Sequence, residues 1–146
     1  MKHAVTLKVR RVAPSDAAAI ADLSTQLGYS SAEPQAAARL VGLKDHPDIR
    51  ALVAEQDGQV IGFIGLMVFP SFHRDGLHGY ITALVVDEKL RGSGAGGELL
   101  KAAEAWFAER EVKRVSLTTA LHREAAHGFY EKRGYTFTGK RFTKIL

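Results

Sequence analysis

The chain begins with an alternating pattern of apolar and polar residues and then changes to a helical repeat. From Val5 to Val9 every second residue is apolar, which predicts a strand over residues 5–12. Pro14 then starts a helix whose apolar residues recur at helical spacing as far as Leu27, and Gly28 ends it. A second, short helix is predicted from Pro34 to Leu43.

Apolar runs separated by turn residues predict three strands in the middle of the chain. Asp57-Gly58 is a turn signal typical of a hairpin. The run after it is apolar on both faces, as expected for a central strand. A polar loop with two histidines is predicted at residues 70–79. The three strands span Ile49 to Glu55, Val60 to Phe69 and Tyr80 to Val86.

Helices and strands alternate again in the last third of the chain. A helix is predicted from Gly94 to Arg110, and another from Glu124 to Arg133, where Gly134 closes it. Three more strands are predicted at Val112 to Thr119, Tyr135 to Phe137 and Arg141 to Ile145. This order of elements predicts an α/β protein with a mixed sheet. A length of 146 residues suits one domain, so residues 1–146 are expected to form a single domain.

The composition excludes several classes of protein. There is no cysteine, which excludes disulfides, thiolate metal sites and a cysteine nucleophile. The N-terminus has no apolar run of signal-peptide length and no segment approaches the length of a membrane span, so we expect a cytoplasmic protein without a membrane partner. The formal charge is +4, but the basic residues do not form one run and no nucleic-acid motif is present. A small polyanionic ligand is therefore a simpler partner than a nucleic acid.

The most informative segment joins the strand that ends at Val86 to the helix that follows. Glycines at the start of a helix let backbone N–H groups approach an anion closely. The unpaired N–H groups of the first turn and the positive end of the helix dipole then attract a phosphate. The residues of this candidate phosphate loop are Arg91, Gly92, Ser93, Gly94, Ala95, Gly96 and Gly97.

Two familiar phosphate loops fit this segment only in part. Gly92, Gly94 and Gly97 match the dinucleotide pattern G-x-G-x-x-G, but polar residues separate the strand from the glycines and no carboxylate ends the next strand. Gly92 and Gly97 also have P-loop spacing, yet Glu98-Leu99 stands where Lys-Ser/Thr is needed. A glycine-rich turn that binds no ligand is a further alternative.

A third pattern, Arg-x-x-Gly-x-Gly, is met by Arg91, Gly94 and Gly96. About 35 residues after the glycine loop, Phe129 to Tyr135 forms the motif F-Y-E-K-R-G-Y, with one predicted strand between the two. Together these motifs resemble the acyl-CoA pyrophosphate loop and the second signature of the GCN5-related N-acetyltransferases. The resemblance implies a single-domain α/β fold with a mixed, mostly antiparallel sheet of six to seven strands. It also implies about four flanking helices and central strands splayed around acyl-CoA.

The resemblance further implies how a coenzyme is held. The main chain of Leu84, Val85 and Val86 is expected to bind the pantetheine arm, and one N–H there polarises the thioester carbonyl. Phe129 is either a packing residue or a wall of the cofactor slot. Many relatives have asparagine at the position of Arg123, so this arginine is expected to reach a phosphate or to be a surface charge. The implied co-substrate is acetyl-CoA, without a metal.

Acyl transfer also needs an acid and a base. By resemblance Tyr130 is the candidate acid for the leaving thiolate, with a core aromatic as the alternative. Many members carry a carboxylate at the position of Thr82 or Ala83, and this chain has neither. Proton removal then falls to a water chain or to another side chain. The candidate side chains are His73, Asp75, His78 and Glu33, and His78 is the one named as catalytic because histidine titrates in a useful range.

We therefore expect an acetyl-CoA-dependent N-acetyltransferase that transfers an acetyl group directly to a primary amine in a ternary complex. Transfer of a longer acyl group is an alternative, because the loop recognises coenzyme A rather than the acyl chain. A non-catalytic acyl-CoA-binding sensor is another, favoured by the missing strand carboxylate. The acceptor is a small-molecule or protein amine, and residues 25–45 and 70–79 are expected to line its pocket. Homodimers are common in the family, so a homodimer is one expected assembly.

Overall fold

The computed structural model describes residues 6–119 and 124–146. Within them the chain forms five strands, four α-helices and two short 3-10 turns. The strands are β1 (Leu7–Arg11), β2 (Ile49–Gln56), β3 (Gln59–Pro70), β4 (Leu77–Val86) and β5 (Arg114–Leu117). The α-helices are α1 (Ala17–Leu27), α2 (Glu33–Leu43), α3 (Ala95–Glu109) and α4 (Glu124–Glu131). The chain divides into two compact units, the first running to Ser116 and the second from Leu117 to Leu146.

The strands form one sheet in the order β1-β2-β3-β4-β5. The first four pair antiparallel with their neighbours along the chain. Asp57 and Gly58 join β2 to β3 with φ values of +50° and +80°, both in the left-handed region. That geometry matches the right-handed twist of the flanking strands, which confirms the predicted hairpin turn.

Helices cover both faces of the sheet in the first unit. Consecutive residues of a strand point to opposite faces. On β3, Phe63 packs against a cluster that includes Ile20 of α1 and Ala36 of α2. The preceding residue, Gly62, lies against Leu99 of α3. The α1–α2 pair therefore covers one face and α3 covers the other, and the fully buried side chains are found between these layers. They include Leu23, Ile64, Leu99, Leu100 and Phe107.

One buried carboxylate ties β1 to the start of α1. Asp16 is only 6% exposed and accepts two hydrogen bonds from Arg10, of 2.8 and 2.9 Å. Its Oδ2 atom also accepts a hydrogen bond from the Ala13 N–H at 2.7 Å. The Arg10 hydrogen bonds, with a smaller effect from Ala13, hold the pKa of Asp16 below its usual value. The charged form of this carboxylate is therefore the one that the fold stabilises.

The expected sheet of six to seven strands is wrong in its strand number, because the described residues form five. Neither Tyr135 to Phe137 nor Arg141 to Ile145 is a strand. Alternation predicts a strand only where one face of the segment is buried. Here the apolar residues stay in contact with solvent, since Phe142 is 91% and Ile145 88% exposed. The prediction of a mixed α/β sheet with four helices is confirmed.

The predicted loop at residues 70–79 is also too long. The β3 strand continues to Pro70 and β4 begins at Leu77, so His78 lies in a strand opposite Phe69. Once two antiparallel strands are joined by a hairpin, the ladder extends as far as both backbones stay paired, whatever the polarity of the side chains. A polar composition alone therefore misplaced the start of β4. None of the helices in the described ranges is both long and apolar enough to cross a bilayer.

Two glycines provide a matched test of how α3 packs on the sheet. A Cβ atom on Gly79 of β4 would lie 2.8 Å from two ring atoms of Phe107, which is 1% exposed. Gly79→Ala should therefore lower the free energy of unfolding by about 1–3 kcal/mol. Gly42 in α2 has no atom within 4 Å of such a Cβ, so Gly42→Ala should raise it by about 0.5–1 kcal/mol. Urea denaturation measures both values, and equal stability of the two variants would contradict this packing.

Candidate active site

The segment between β4 and α3 is shaped by two glycines with left-handed backbone. A 3-10 turn over Glu88–Leu90 follows β4, and the Asp87 carboxylate accepts a hydrogen bond from the Lys89 N–H at 3.0 Å. Gly92 and Gly94 then both adopt φ +90°. No atom lies within 4 Å of a Cβ built on either of them. Backbone conformation rather than crowding therefore favours glycine at these two positions.

The first turn of α3 presents backbone N–H groups beside this loop. Gly94 is the N-cap, and the Glu98 N–H donates to its carbonyl oxygen at 3.1 Å to begin the helical ladder. The Ser93 hydroxyl accepts a hydrogen bond from the Ala95 N–H at 3.3 Å. The preceding residues from Arg91 to Gly94 are exposed. The residues that lead into this 15-residue helix are exposed, and the glycines among them have no side chain to block a ligand. The N-terminus of α3 is therefore well suited to hold an anion.

Side-chain and main-chain bonds from other elements hold this loop in place. The Gln26 Oε1 atom of α1 accepts a hydrogen bond from the Glu88 N–H at 2.9 Å. The Gln26 Nε2 atom donates to Asp22 at 3.0 Å, which orients the amide. The Asp87 N–H donates to the Ile61 carbonyl of β3 at 2.7 Å. Sequence reasoning missed Gln26, because no local pattern marks a contact across 62 residues.

A β-bulge interrupts the pairing of β3 with β4. Gly65 lies opposite Ala83 and Leu66 lies opposite Ile81, so Thr82 is an extra residue on β4. A Cβ atom on Gly65 would lie 2.5 Å from the Thr82 Oγ1 atom. The glycine therefore makes room for the bulged residue. A glycine inside a strand is the sequence signal that could have predicted this bulge.

The pairing beyond the bulge determines which backbone groups face away from β3. Backbone groups of a strand point alternately to its two edges. The Asp87 N–H points to β3, where it donates to Ile61. The N–H of Val85 therefore also points to β3, whereas those of Leu84 and Val86 point to the opposite edge. Of the three residues predicted to bind pantetheine, two offer their main chain on that edge.

The neighbour on that edge, β5, accompanies only the beginning of β4. Leu77 and His78 at the start of β4 line the same depression as Lys113 and Arg114 beside the start of β5. The start of β5 therefore lies beside the first residues of β4. Because β5 has four residues and β4 has ten, β5 ends well before Leu84. In the described sheet, the outer edge of Leu84 and Val86 has no β5 residue beside it.

The catalytic residue predicted on α4 lies in an aromatic cluster of the second unit. The Tyr130 ring is half-buried and meets the rings of Phe129 and Tyr135 edge-on, with centroids 5.2 and 5.8 Å apart. The Arg133 guanidinium lies 3.8 Å from the Phe129 ring centroid and donates to the Phe129 carbonyl. Phe129 is thus engaged in packing within its own unit. The predicted phosphate ligand Arg123 lies outside the described residues.

The candidate base lies at the far end of β4 from the Leu84–Val86 edge. The His78 ring stacks on Phe69 with centroids 5.7 Å apart, and the His73 ring is 6.4 Å away. His78 and Leu84 are six positions apart, which is about 20 Å along a strand. A proton that leaves a group bound at Leu84 would therefore need water to reach His78. The exposed Glu33 begins α2, and Asp75 lies in the loop before β4.

No group of three or more His, Cys, Asp or Glu residues in the described part of the chain could hold a metal ion. The groups that the candidate site brings together in the first unit are main-chain donors, one edge of β4 and the glycine turn. The main-chain donors and the glycine turn can stabilise a negative charge. The edge of β4 can hold an extended, uncharged chain.

Comparisons with known proteins agree with this architecture. Residues 17–135 match the family model described as the acetyltransferase (GNAT) family. The chain is 32% identical over 124 residues to the aminoalkylphosphonate N-acetyltransferase of Salmonella typhimurium, covering 85% of this chain and 78% of the relative. It is 33% identical over 136 residues to the uncharacterised N-acetyltransferase YhfO of Bacillus subtilis, covering 88% and 89%.

A solved structure extends the comparison to the fold. The aminoglycoside N-acetyltransferase AAC(6')-Iy, determined in complex with CoA, superposes with a TM-score of 0.87 at 13% identity. The match covers 100% of this chain and 98% of the other. At this low identity the likeness concerns the fold alone.

Proposed function

The chain belongs to the acetyltransferase (GNAT) family, and we propose that it transfers an acetyl group from acetyl-CoA directly to a primary amine. Its relatives are named N-acetyltransferases, so the protein is an acyltransferase. The observation that carries the finer proposal is the course of β4. At Leu84 and Val86, the edge of β4 that faces away from β3 is not accompanied by β5. A few residues later the chain enters the glycine turn of α3. We further propose that residues 1–146 act as one acetyltransferase domain.

The glycine turn and the edge of β4 would hold the two parts of acetyl-CoA. The N–H groups at the start of α3, together with Arg91, would bind the pyrophosphate. The main chain of Val86 and Leu84 would bind the pantetheine arm as an added strand does. This course brings the thioester toward the bulge at Thr82. The Leu84 N–H is then our candidate donor to the thioester oxygen, since the Val85 N–H is directed to β3.

The transfer forms one C–N bond and breaks the C–S bond. The attacking amine must first lose a proton, because an alkylammonium has a pKa of about 10.4 and no free electron pair. No carboxylate stands at Thr82 or Ala83, so we propose that water carries this proton away. His78 lies too far along β4 to take the proton by direct contact. Tyr130 is proposed to give a proton to the leaving thiolate, on the strength of its place in the F-Y-E-K-R-G-Y motif.

The acceptor class is guided by the relatives. One of them, at 32% identity, is named for an aminoalkylphosphonate acceptor. We therefore propose a small-molecule amine as the acceptor rather than a protein.

Turnover of acetyl-CoA with a panel of small amines tests the proposed function. Direct transfer predicts intersecting initial-rate lines, an N-acetylated product by mass spectrometry and no acyl-enzyme, since cysteine is absent. A chemically competent acylated side chain would contradict direct transfer. Coenzyme binding without turnover of any amine would instead support a sensor, and faster turnover of longer acyl-CoA donors would revise the donor.

Replacing Gly94 by aspartate tests the phosphate loop. The variant adds a side chain where φ is +90° and a negative charge where the pyrophosphate is proposed. A hundredfold excess of acetyl-CoA over its Kd should stabilise the original protein by about 2.7 kcal/mol. It should do little for a folded Gly94→Asp protein. Thermal denaturation with and without acetyl-CoA measures both effects.

Gly76→Asp is the matched control for this experiment. Gly76 has φ +80° and equally open surroundings, but it precedes β4 at the end opposite the glycine turn. Its variant carries similar backbone strain and the same added charge, so it should keep the full response to acetyl-CoA. Equal responses of the Gly94 and Gly76 variants would refute the assignment of the phosphate loop.

Removing the Tyr130 hydroxyl tests the proposed acid. Tyr130→Phe should lower kcat about 100- to 10,000-fold, because loss of a general acid has that effect, with little change in the KM for acetyl-CoA. His78→Ala should be mild and should leave the acidic limb of the pH–rate profile in place if water carries the proton. A Tyr130→Phe enzyme within about threefold of the original, assayed where chemistry limits turnover, would rule out the acid role.

A further inference from the structure

A second concave surface lies at the beginning of β4, at the opposite end of that strand from the glycine turn. It is formed by the loop between β3 and β4 and by the starts of β4 and β5, and its volume is about 670 Å³. We call it the basic depression. Its ionisable lining residues are His73, Arg74, Asp75, His78, Lys113 and Arg114.

The permanent charges of the basic depression are unbalanced. Arg74, Lys113 and Arg114 are cations, and Asp75 is the one carboxylate in the lining. The ion pairs found in the described chain involve Arg10 and Arg110 and none of these four residues. Among the described residues none of these three cations takes part in an ion pair, so together they create a positive potential in the depression that favours an anionic ligand.

The donors of the basic depression suit a tetrahedral oxyanion. Guanidinium groups present several N–H donors in a fixed plane, which bind phosphate oxygens in pairs, and an ammonium adds a mobile donor. The histidines are held in place beside them. The His73 Nδ1 atom lies 3.1 Å from the Ser71 hydroxyl, and the His78 ring is stacked on Phe69. At the rim Phe72 is fully exposed, so the carbon part of an organic ligand could cover it.

The coenzyme proposed above does not account for these charges. The glycine turn lies beyond the end of β4, whose ten residues span about 30 Å. The pantetheine arm would run from that turn toward the start of β4, and its acyl end carries no charge. The basic depression therefore lies past the acyl end, on the side from which an acceptor would come. Its cations converge on one concavity rather than extending as a strip, which favours a compact dianion over a nucleic acid.

We propose that the basic depression binds a phosphonyl or phosphoryl group through Arg74, Lys113 and Arg114. The group belongs either to an acceptor amine whose chain is long enough to reach the thioester beside Leu84 or to a separate small anion. Binding at this site does not require acetyl transfer. Only the assignment to the acceptor rests on the proposed function.

Direct binding tests the site apart from catalysis. Isothermal titration calorimetry with 2-aminoethylphosphonate and with inorganic phosphate should give measurable affinities for the unmodified chain. Arg114→Gln and Lys113→Gln should each weaken these affinities about tenfold, because each removes a charged hydrogen-bond donor. Lys101→Gln, which removes an exposed cation of α3 outside the depression, should leave them unchanged. Retained stabilisation by acetyl-CoA shows that each variant is folded.

Kinetics then separate the two sources of the group. If the acceptor carries it, Arg114→Gln should raise the KM for an aminoalkylphosphonate whose chain reaches from the depression to the thioester, and leave that for the alkylamine of the same chain length unchanged. If a separate anion binds, phosphate should bind equally well with and without the amine, and the variant should alter neither KM. Both results support the site, and the binding result stands even if no amine is acetylated. Equal phosphonate and phosphate affinities in the unmodified chain, Arg114→Gln and Lys101→Gln, or no binding at all, would overturn the proposal.

Discussion

Between Gly65 and Leu66 of β3, the partner strand β4 carries one residue more than a regular antiparallel ladder can pair. That extra residue, Thr82, changes the edge of β4 to which each later backbone N–H and C=O group points. A bulge also bends its strand and increases the local twist. The residues that follow it, Leu84 and Val86, are those that β5 does not accompany. The position of the bulge therefore decides which main-chain groups are left for a ligand.

The rest of the candidate site is organised around the same strand. At one end, Gly92 and Gly94 turn the chain into α3 with left-handed backbone, and Gln26 of α1 holds the preceding turn. At the other end, Arg74, Lys113 and Arg114 surround the basic depression. A positive potential at both ends of β4 suits a reaction in which two anionic ligands meet at an uncharged reacting group. The long separation along β4 would keep the proposed pyrophosphate and the proposed phosphonyl or phosphoryl group from competing for the same donors.

Sequence patterns predicted most of the elements because their causes are local. The Asp57-Gly58 turn, the helical repeat of α3 and the glycine loop each depend on neighbouring residues. The failures depend on distant contacts. Phe142 and Ile145, in the alternating segment after Tyr135, are exposed and the segment forms no strand, whereas backbone pairing between β3 and β4 places His78 in a strand. The bulge and the bond from Gln26 arise only when separate elements meet. The resemblance supplied the proposed coenzyme loop, but the acceptor side of a fold varies too freely for its residues to be carried over.

Amide hydrogen exchange on the ¹⁵N-labelled protein, with and without acetyl-CoA, tests the course of β4 most directly. Bound acetyl-CoA should slow exchange at Leu84 and Val86 and at the first turn of α3. Exchange at Val85 should stay the same, because its N–H already faces β3. Protection of Val85 together with unchanged exchange at Leu84 and Val86 would show that the coenzyme does not bind along this edge of β4.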